Sequence, residues 1–550
     1  MDKLIIYQIF TRLFGNHKND NISYGTLYEN GSSKFNNLNN PIIKKISDLG
    51  VTHIWLTGVI RHATTTSYSS YGIPDSCPSI VKGLAGSPYA ITDYYDVDPD
   101  LAEDVSNRMA EFESLVERIH KLGLKVIIDF VPNHVARQYH SIAKPEGVRD
   151  LGEDDDKNMG FTPSNNFYYC VGQSFNPSFN VSPYTEYPAR VTGNDKFDAS
   201  PSKEDWYETV KLNYGVDYCD ASGRSEHFDP IPNTWIKMRD ILMYWAAKGI
   251  DGVRCDMAEM VPPAFWSWVT PQLKDRFPGF IFIGEVYNPS LYRTYISSGF
   301  DYLYDKVGMY DCMRNVICGK ARTPEITKQW QSTDDIYEHM LYFLENHDEQ
   351  RIASKYFAND PYCAFPAVTT CLLMRNNPFM IYAGQEFGES GMCREGFSGY
   401  DGRTSIFDYW SPDTLYRGYV LPANSTRQEM AIRRFYKNII HIAKTSDAVK
   451  NGDFFDLMYA NPKLKSCFTF LRKSEKELLF VIAKFDKRDS EYNIVIPSHA
   501  FDFLNIKEGE YEAEDLLPRL SVKYHIELIK DKPIHISMKG LQSMILRINL

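Results

Sequence analysis

The sequence predicts an α/β protein built on a (β/α)₈ TIM-type barrel, with a small domain inserted after the third strand and a C-terminal antiparallel β-sandwich. Three observations predict this architecture. Eight short apolar runs alternate with helix-like periods as far as Thr445. A long segment without a helical period interrupts this alternation after the third run. Short β-branched and aromatic runs occupy the rest of the chain.

The eight predicted strands are short and mostly apolar. They cover residues 4–10, 51–56, 124–131, 250–256, 280–285, 300–303, 340–344 and 378–382. Helical stripes separate them, over residues 41–49, 233–247 and 428–443, and at Phe112, Leu115, Val116 and Ile119, where Gly123 suits the C-cap. Strands that alternate with helices in this way favour a parallel sheet, and eight of them favour a closed barrel.

The predicted domain limits follow changes in composition. The barrel takes residues 1–134 and 231–445, the insertion 135–230 and the sandwich 446–550. The insertion is rich in Asn, Asp, Ser, Pro and aromatic residues, and a segment of that length is usually functional or a small domain of its own. The C-terminal runs at 467–471, 477–483, 492–496 and 537–548 carry no catalytic pattern. We interpret that domain as structural, with carbohydrate binding as the alternative.

Composition and charge exclude several classes of partner. The chain of 550 residues has 60 basic and 71 acidic residues, a net charge of −11, and no basic block, so nucleic acid is not an expected partner. No apolar run approaches the roughly 20 residues of a membrane span, so no membrane partner is expected. No signal-peptide core follows Met1, which predicts a cytoplasmic protein if Met1 is the native start. Ten scattered cysteines without a Cys-x-x-Cys pair predict reduced thiols.

The fourth predicted strand ends in a charged pair, Arg254 and Asp256. Successive side chains of a strand point to opposite faces, so these two share a face and Val253 and Cys255 share the other. A nearby guanidinium favours the ionised carboxylate, and an ionised carboxylate at a strand end is a candidate nucleophile. On these residues alone, a structural ion pair is the alternative.

Further polar residues end or follow other predicted strands. Asp129 and His134 follow the third strand, Glu285 ends the fifth, and His347 and Asp348 follow the seventh. A barrel brings the carboxyl ends of all its strands to one face, where such folds carry their chemistry. This convergence favours an active site over a set of unrelated ion pairs.

Four of these segments resemble, in order, the motifs of the α-amylase family, glycoside hydrolase family 13. They are DFVPNH at 129–134, GVRCD at 252–256, GEV at 284–286 and ENHD at 345–348. Residues 212–218 are similar to the fifth motif of the family, and 382–386 to the end of its eighth strand. Four motifs in the right order form a specific signal. The resemblance implies a barrel interrupted after its third strand by the family's domain B.

Two carboxyl groups are the chemical requirement for cleaving a glycosidic bond. One protonates the leaving oxygen and the other meets the oxocarbenium-like anomeric centre. Asp256, paired with Arg254, is suited to attack. Glu285 follows Ile-Phe-Ile-Gly, and we expect this apolar surrounding to raise its pKa and keep a proton for the leaving group.

The resemblance assigns roles to seven residues. It implies Asp256 as nucleophile, Glu285 as general acid/base and Asp348 as the residue that stabilises the transition state. It implies that His134, Arg254 and His347 bind the reacting sugar and that Tyr89 is an aromatic platform beneath it, since a sugar's C–H face suits an aromatic ring. Asp129 is expected to orient its neighbours rather than react.

These roles predict a retaining glycoside hydrolase that cleaves α-glucosidic bonds in α-glucans or maltooligosaccharides through a covalent glycosyl-enzyme. A glycosyltransferase of the same family is the first alternative, because it uses the same intermediate with a sugar in place of water. A non-catalytic carbohydrate-binding relative is the second, and it predicts the loss of a carboxylate. All three carboxylates are present. Linkage, endo or exo action and oligomeric state stay open.

One departure from the family concerns calcium. In many amylases the third and fourth residues after the nucleophile are lysine and histidine, which help to bind the leaving-side sugar and a calcium ion. Glu259 and Met260 stand here instead, followed by Pro262 and Pro263, which restrict the preceding backbone. We expect no cofactor, and no calcium at the usual position of the family, although Asn133 of the first motif leaves a modified calcium site possible.

Overall fold

A closed barrel of eight parallel strands forms the centre of the computed structural model, which describes residues 3–218, 220, 223–518 and 522–550. Its strands are β1 (Ile5–Phe10), β2 (His53–Thr57), β3 (Lys125–Phe130), β4 (Gly252–Cys255), β5 (Ile281–Gly284), β6 (Tyr302–Tyr304), β7 (Met340–Phe343) and β8 (Phe379–Tyr382). Each strand pairs with its neighbours in chain order, and β8 closes on β1. The predicted barrel is confirmed. Met1, on which the cytoplasmic prediction rests, lies outside the described residues.

Helices connect the strands and cover the outside of the barrel. The longer ones are Asn40–Ser47, Arg108–Lys121, Asn233–Ala247, Pro263–Arg276, Asp311–Ile317, Pro324–Ser332, Ala364–Leu373 and Arg427–Thr445, and Tyr292–Ser297 is a shorter one. The last of the long helices begins with a capping box, in which Thr426 and Glu429 satisfy each other's backbone N–H groups. Across the described ranges, no helix combines the length and the apolar character that crossing a membrane requires.

The interior of the barrel is layered because alternate residues of each strand point inward. One layer is apolar and fully packed, formed by Ile6, Trp55, Ile127, Ile283, Leu341 and Met380. On four of the strands the next inward position toward the carboxyl end is polar, namely Gln8, Asp129, Arg254 and Glu285. Strand register places Arg254 opposite Asp129 on β3. The alternation of the strands therefore places a polar layer directly above a hydrophobic floor.

The segment between β3 and the helix Asn233–Ala247 has little regular structure of its own. In the described part of this segment, three short antiparallel pairs form: His134–Ala136 with Thr209–Lys211, Tyr169–Cys170 with Ala189–Arg190, and Val216–Asp217 with Ser225–Glu226. A small separate cluster of apolar side chains packs inside it. The limits 135–230 for this inserted domain stay a prediction. A further short hairpin, Ile60–His62 with Ile91–Val97, lies in the connection after β2.

The C-terminal part is antiparallel, as predicted. Its main sheet has six strands in the order Asp453–Asp456, Cys467–Lys473, Glu477–Lys484, Ser543–Asn549, Gly509–Asp515 and Val522–Leu528. Ser490–Val495 and Pro533–Met538 form a second, two-stranded sheet. The barrel and this part are joined by buried contacts, such as the hydrogen bond from Arg472 Nη1 to the Met374 carbonyl at 3.1 Å.

Candidate active site

The carboxyl ends of the barrel strands surround a pocket of about 260 Å³. Five of the predicted site residues line it, and they come from the loop after β2 and from the ends of β3, β4, β5 and β7: Tyr89, His134, Asp256, Glu285 and Asp348. Arg254 and His347 lie beneath this lining, with no exposed side-chain surface. The predicted residues are therefore brought together, in two layers.

Arg254 pairs with three carboxylates at once. Its Nη1 atom lies 2.8 Å from Asp256 Oδ1 and 3.3 Å from Asp129 Oδ1, and its Nη2 atom lies 2.6 Å from Glu285 Oε2. A guanidinium is a planar fork, so the carboxylates on its two nitrogens are held side by side. The ring faces of Trp55 and Tyr89 lie 5.5 Å from its central carbon. Arg254 thus fixes the spacing of Asp256 and Glu285.

Several carboxyl groups lie close together in and beneath the pocket, and the positive charge of Arg254 has to balance three of them. Burial raises the pKa of Asp256, the carboxylates of Glu285, Asp129 and Asp348 raise it further, and Arg254 lowers it. Arg254 acts in the predicted direction, but burial outweighs it. Burial also raises the pKa of Asp348 to about 7 and that of Asp129 to about 6. Asp256, Asp348 and Asp129 therefore keep their protons to a higher pH than ordinary aspartates do.

The surroundings of Glu285 are polar, and the apolar surrounding predicted from the sequence is wrong. Tyr287 donates its hydroxyl to Glu285 Oε1 at 2.7 Å, and the backbone N–H of Met257 donates to Oε2 at 2.7 Å. Met257 reaches this position through a left-handed backbone with φ 44°, which non-glycine residues rarely adopt. The apolar residues that precede Glu285 on β5 pack below it or outside the barrel. Sequence reasoning missed Met257 and Tyr287.

His347 is neutral and held from two sides. Burial, reinforced by Arg254, lowers its pKa well below the usual range. Its Nδ1 atom lies 2.8 Å from the amide nitrogen of Gln8, which can only donate, so the proton belongs on Nε2. That Nε2 atom lies 3.1 Å from Asp348 Oδ2 and contacts the Tyr89 hydroxyl. Gln8 was also missed, and its inward position on β1 was the available signal.

His134 forms a different side of the pocket. Its ring lies 5.2 Å from that of Trp206, a residue of the insertion that also lines the pocket. Its Nδ1 atom lies 3.2 Å from the amide nitrogen of Asn133. Burial, reinforced by the Lys211 ammonium, lowers the pKa of His134 to about 3. Trp206 was missed because it lies in a segment without periodicity.

A calcium ion does not fit the residues around Asn133. The side-chain oxygen of Asn133 accepts a hydrogen bond from Lys211 Nζ at 2.9 Å. The same ammonium lies 2.6 Å from Asp195 Oδ1 of the insertion. Calcium takes six to eight oxygen ligands. Here an ammonium already engages the oxygens that the third strand and the insertion would offer. Elsewhere in the described residues, Asp217, Asp220 and His227 bring possible ligand atoms within 4.8 Å of one another.

Known proteins resemble this chain over most of its length. The family model for the α-amylase catalytic domain matches residues 8–451. Alpha-amylase 3 of Dictyoglomus thermophilum is 22% identical over 541 residues, covering 93% of this chain and 91% of that protein. The cyclomaltodextrinase of Thermoanaerobacter pseudethanolicus is 22% identical over 543 residues, covering 96% and 76%.

Among solved structures, the maltogenic α-amylase AmyB of Thermotoga neapolitana shares the fold. It superposes with a TM-score of 0.65 at 19% identity, covering 100% of this chain and 99% of that one. The fold, the pocket and the match of the family model over most of the chain lead to one conclusion. The chain belongs to the α-amylase family of glycoside hydrolases.

Proposed function

We propose that this protein hydrolyses α-glucosidic bonds in α-glucans or maltooligosaccharides with retention of configuration. The observation that carries the proposal is the pair of carboxylates, Asp256 and Glu285, held on the two nitrogens of Arg254 at the edge of a pocket. The pocket has a volume of about 260 Å³, below the roughly 300–1,000 Å³ of sites for drug-sized ligands. A pocket of this size suits a sugar ring. Tyr89 supplies an aromatic face in its lining.

The reaction takes two displacements. Asp256 forms a bond to the anomeric carbon while the bond to the leaving oxygen breaks, and Glu285 gives that oxygen its proton. Water then attacks the glycosyl-enzyme, Glu285 takes a proton from this water, and the bond to Asp256 breaks. Asp348, next to the neutral His347, faces the positive charge that develops at the anomeric centre in both steps.

Retention is the first testable consequence. Two successive inversions restore the configuration, so the first product detected by proton NMR from a maltooligosaccharide should be the α-anomer. This course needs the two carboxyl groups at about 5–5.5 Å, and one guanidinium that binds both supports such a spacing. A β-anomer as the first product would exclude Asp256 as a nucleophile. Appearance of glucosylated acceptors in place of free sugar would favour the glycosyltransferase.

Lys211 replaces calcium in this proposal. The side chain of Lys211 is 2% exposed, and its ammonium contacts both Asn133 of the barrel and Asp195 of the insertion. A bound calcium ion would connect the barrel to the insertion in the same way. We expect EDTA and added calcium to leave the melting temperature unchanged. A large drop with EDTA that calcium restores would contradict this expectation, because a ligand bound only by the folded state must stabilise it.

A substitution of Lys211 tests whether its buried ammonium stabilises the fold in place of calcium. Lys211→Met removes the buried cation and leaves Asp195 without it, which should cost about 1–3 kcal/mol of unfolding free energy, less than for a fully buried pair because the Asp195 side chain is 31% exposed. Lys121→Met is the matched control, since Lys121 is 74% exposed and pairs with Glu117 on the surface, where such a pair contributes about 0–1 kcal/mol. Equal melting temperatures for the two variants would show that the buried ammonium is not needed.

A further inference from the structure

The turn after β5 is held by a residue from the turn after β4. Glu259 Oε2 accepts hydrogen bonds from the backbone N–H groups of Tyr287 and Asn288, each at 3.0 Å. Both bonds end on one carboxylate oxygen and are charge-assisted. Glu259 is itself fixed, because the Tyr295 hydroxyl donates to its carbonyl and to that of Val261, both at 3.0 Å. The two turns therefore form one bonded unit.

Glu259 is also one of the two residues, with Met260, that depart from the family pattern. Its side chain is turned toward the neighbouring turn, where it engages backbone donors. The residue it holds most directly is Tyr287, whose own side chain lines the pocket. The departure thus has a structural consequence at the edge of the candidate active site.

The Tyr287 hydroxyl contacts the oxygen of Glu285 that can carry a proton. Glu285 Oε2 faces two donors, the Met257 N–H and the Arg254 guanidinium, neither of which can accept a proton in a hydrogen bond. The proton of the acid form must then sit on Oε1, which lies 2.7 Å from the Tyr287 hydroxyl. Burial raises the pKa of Tyr287 well above its ordinary value, so the hydroxyl stays neutral.

A neutral hydroxyl suits both protonation states of its partner. It donates to Oε1 when Glu285 is ionised and accepts from Oε1 when Glu285 is protonated. A phenylalanine could do neither, and a lysine or arginine could only donate. The contact therefore survives the proton transfer that the proposed mechanism requires twice in each turnover.

We infer that Tyr287 is a positioning residue that holds Glu285 Oε1 for proton transfer, and that Glu259 holds Tyr287 in place. The inference rests on the proposed function, because it assigns Glu285 the transfer of a proton to the leaving oxygen. It extends that function to two residues outside the family motifs, and it gives Glu259 a role on the acid side of the site.

Tyr287→Phe tests the inference when two substrates are compared. A maltooligosaccharide needs full protonation of its leaving oxygen, whereas a nitrophenyl maltooligoside needs little. We expect kcat/KM to fall about 10- to 100-fold on the maltooligosaccharide, which is the effect of losing a hydrogen bond to a charged group. On the nitrophenyl maltooligoside we expect kcat/KM to fall less than about threefold. A hydrogen bond donated to the charged carboxylate is stronger than one accepted from the neutral acid, so the loss of the Tyr287 hydroxyl should move the basic limb of the pH profile to higher pH.

A matched control separates this effect from general damage. Tyr184 donates its hydroxyl to Glu186 Oε2 at 2.6 Å, away from the pocket, so Tyr184→Phe makes the same chemical change elsewhere. It should leave both rates and the pH profile as in the wild type. Equal losses on the two substrates in Tyr287→Phe, with an unmoved pH profile, would overturn the inference alone. A wild-type enzyme inactive on both substrates would overturn the proposed function as well.

Glu259 is tested by a graded pair of substitutions. Glu259→Gln keeps an oxygen acceptor for the Tyr287 N–H and should lose less than about threefold, whereas Glu259→Ala should reproduce the substrate-dependent loss of Tyr287→Phe. Because both residues act through one contact, the double variant should be no slower than the slower single variant. Additive losses, or a Glu259→Ala loss equal on both substrates, would show that Glu259 does not act through Tyr287.

Discussion

Replacing Asp256 by asparagine is expected to lower turnover on maltooligosaccharides by on the order of 10⁴- to 10⁶-fold. An amide cannot form the glycosyl-enzyme, although it has nearly the shape of the carboxylate. Arg254 keeps Glu285 and Asp129 as partners, so the fold should persist. The measurement is kcat together with the melting temperature. A variant that kept a tenth of the rate would exclude Asp256 as the nucleophile.

The control for this variant is Asp515→Asn. Asp515 is buried in the C-terminal sheet and accepts a hydrogen bond from the Ile545 N–H, so the same isosteric change there should affect stability but not kcat.

A second variant of Asp256 tests the position of attack chemically. Asp256→Gly leaves space for azide, which should restore turnover and yield a glycosyl azide of inverted configuration. Azide without effect on rate or product would argue against attack from this position.

Glu285→Gln should have the second-largest effect, a loss of about 10²- to 10⁴-fold on maltooligosaccharides. The amide has no transferable proton, yet its oxygen can still accept from the Met257 N–H while its NH₂ group donates to the Tyr287 hydroxyl. On a nitrophenyl maltooligoside, whose leaving group needs little protonation, formation of the glycosyl-enzyme should survive and its hydrolysis should become rate-limiting. A burst of nitrophenol followed by a slow steady state would report this change.

Two results would contradict the assignment of Glu285. One is a near-full rate on natural glucans, and the other is a pH profile that keeps its basic limb. Glu477→Gln is the control, because Glu477 is a buried carboxylate in the C-terminal sheet that accepts from the Ala448 N–H. Glu477→Gln should show no such burst and should keep the wild-type pH profile.

Much of the barrel could be predicted because its signals are local. The helix Asn233–Ala247 has the predicted limits, and β4 and β5 lie within the predicted runs. Alternation along a strand also predicts that Arg254 and Asp256 share a face, and parallel strands place the end of β5 beside them. The meeting of Asp256, Glu285 and Asp348 at one pocket thus follows from periodicity and topology together.

The charge state of the site depends on burial, which the sequence does not contain. From the sequence, Asp256 has one neighbour, Arg254, which favours ionisation. In the structure, burial and three further carboxylates act against that neighbour and raise the pKa. The surroundings of Glu285 also depend on the fold, since the apolar residues next to it in sequence lie below it or outside the barrel and polar groups contact its carboxylate.

By itself, the sequence determined the barrel, the order of its motifs and the carboxylates at its strand ends, because these depend on periods of a few residues. Only the tertiary structure decided what touches those carboxylates. Tyr287 and Glu259 meet across two turns, and Lys211 reaches Asn133 from 78 positions away. Such contacts depend on the directions of side chains and on the left-handed backbone at Met257. No local pattern encodes them, because each requires two distant segments to be folded against each other first.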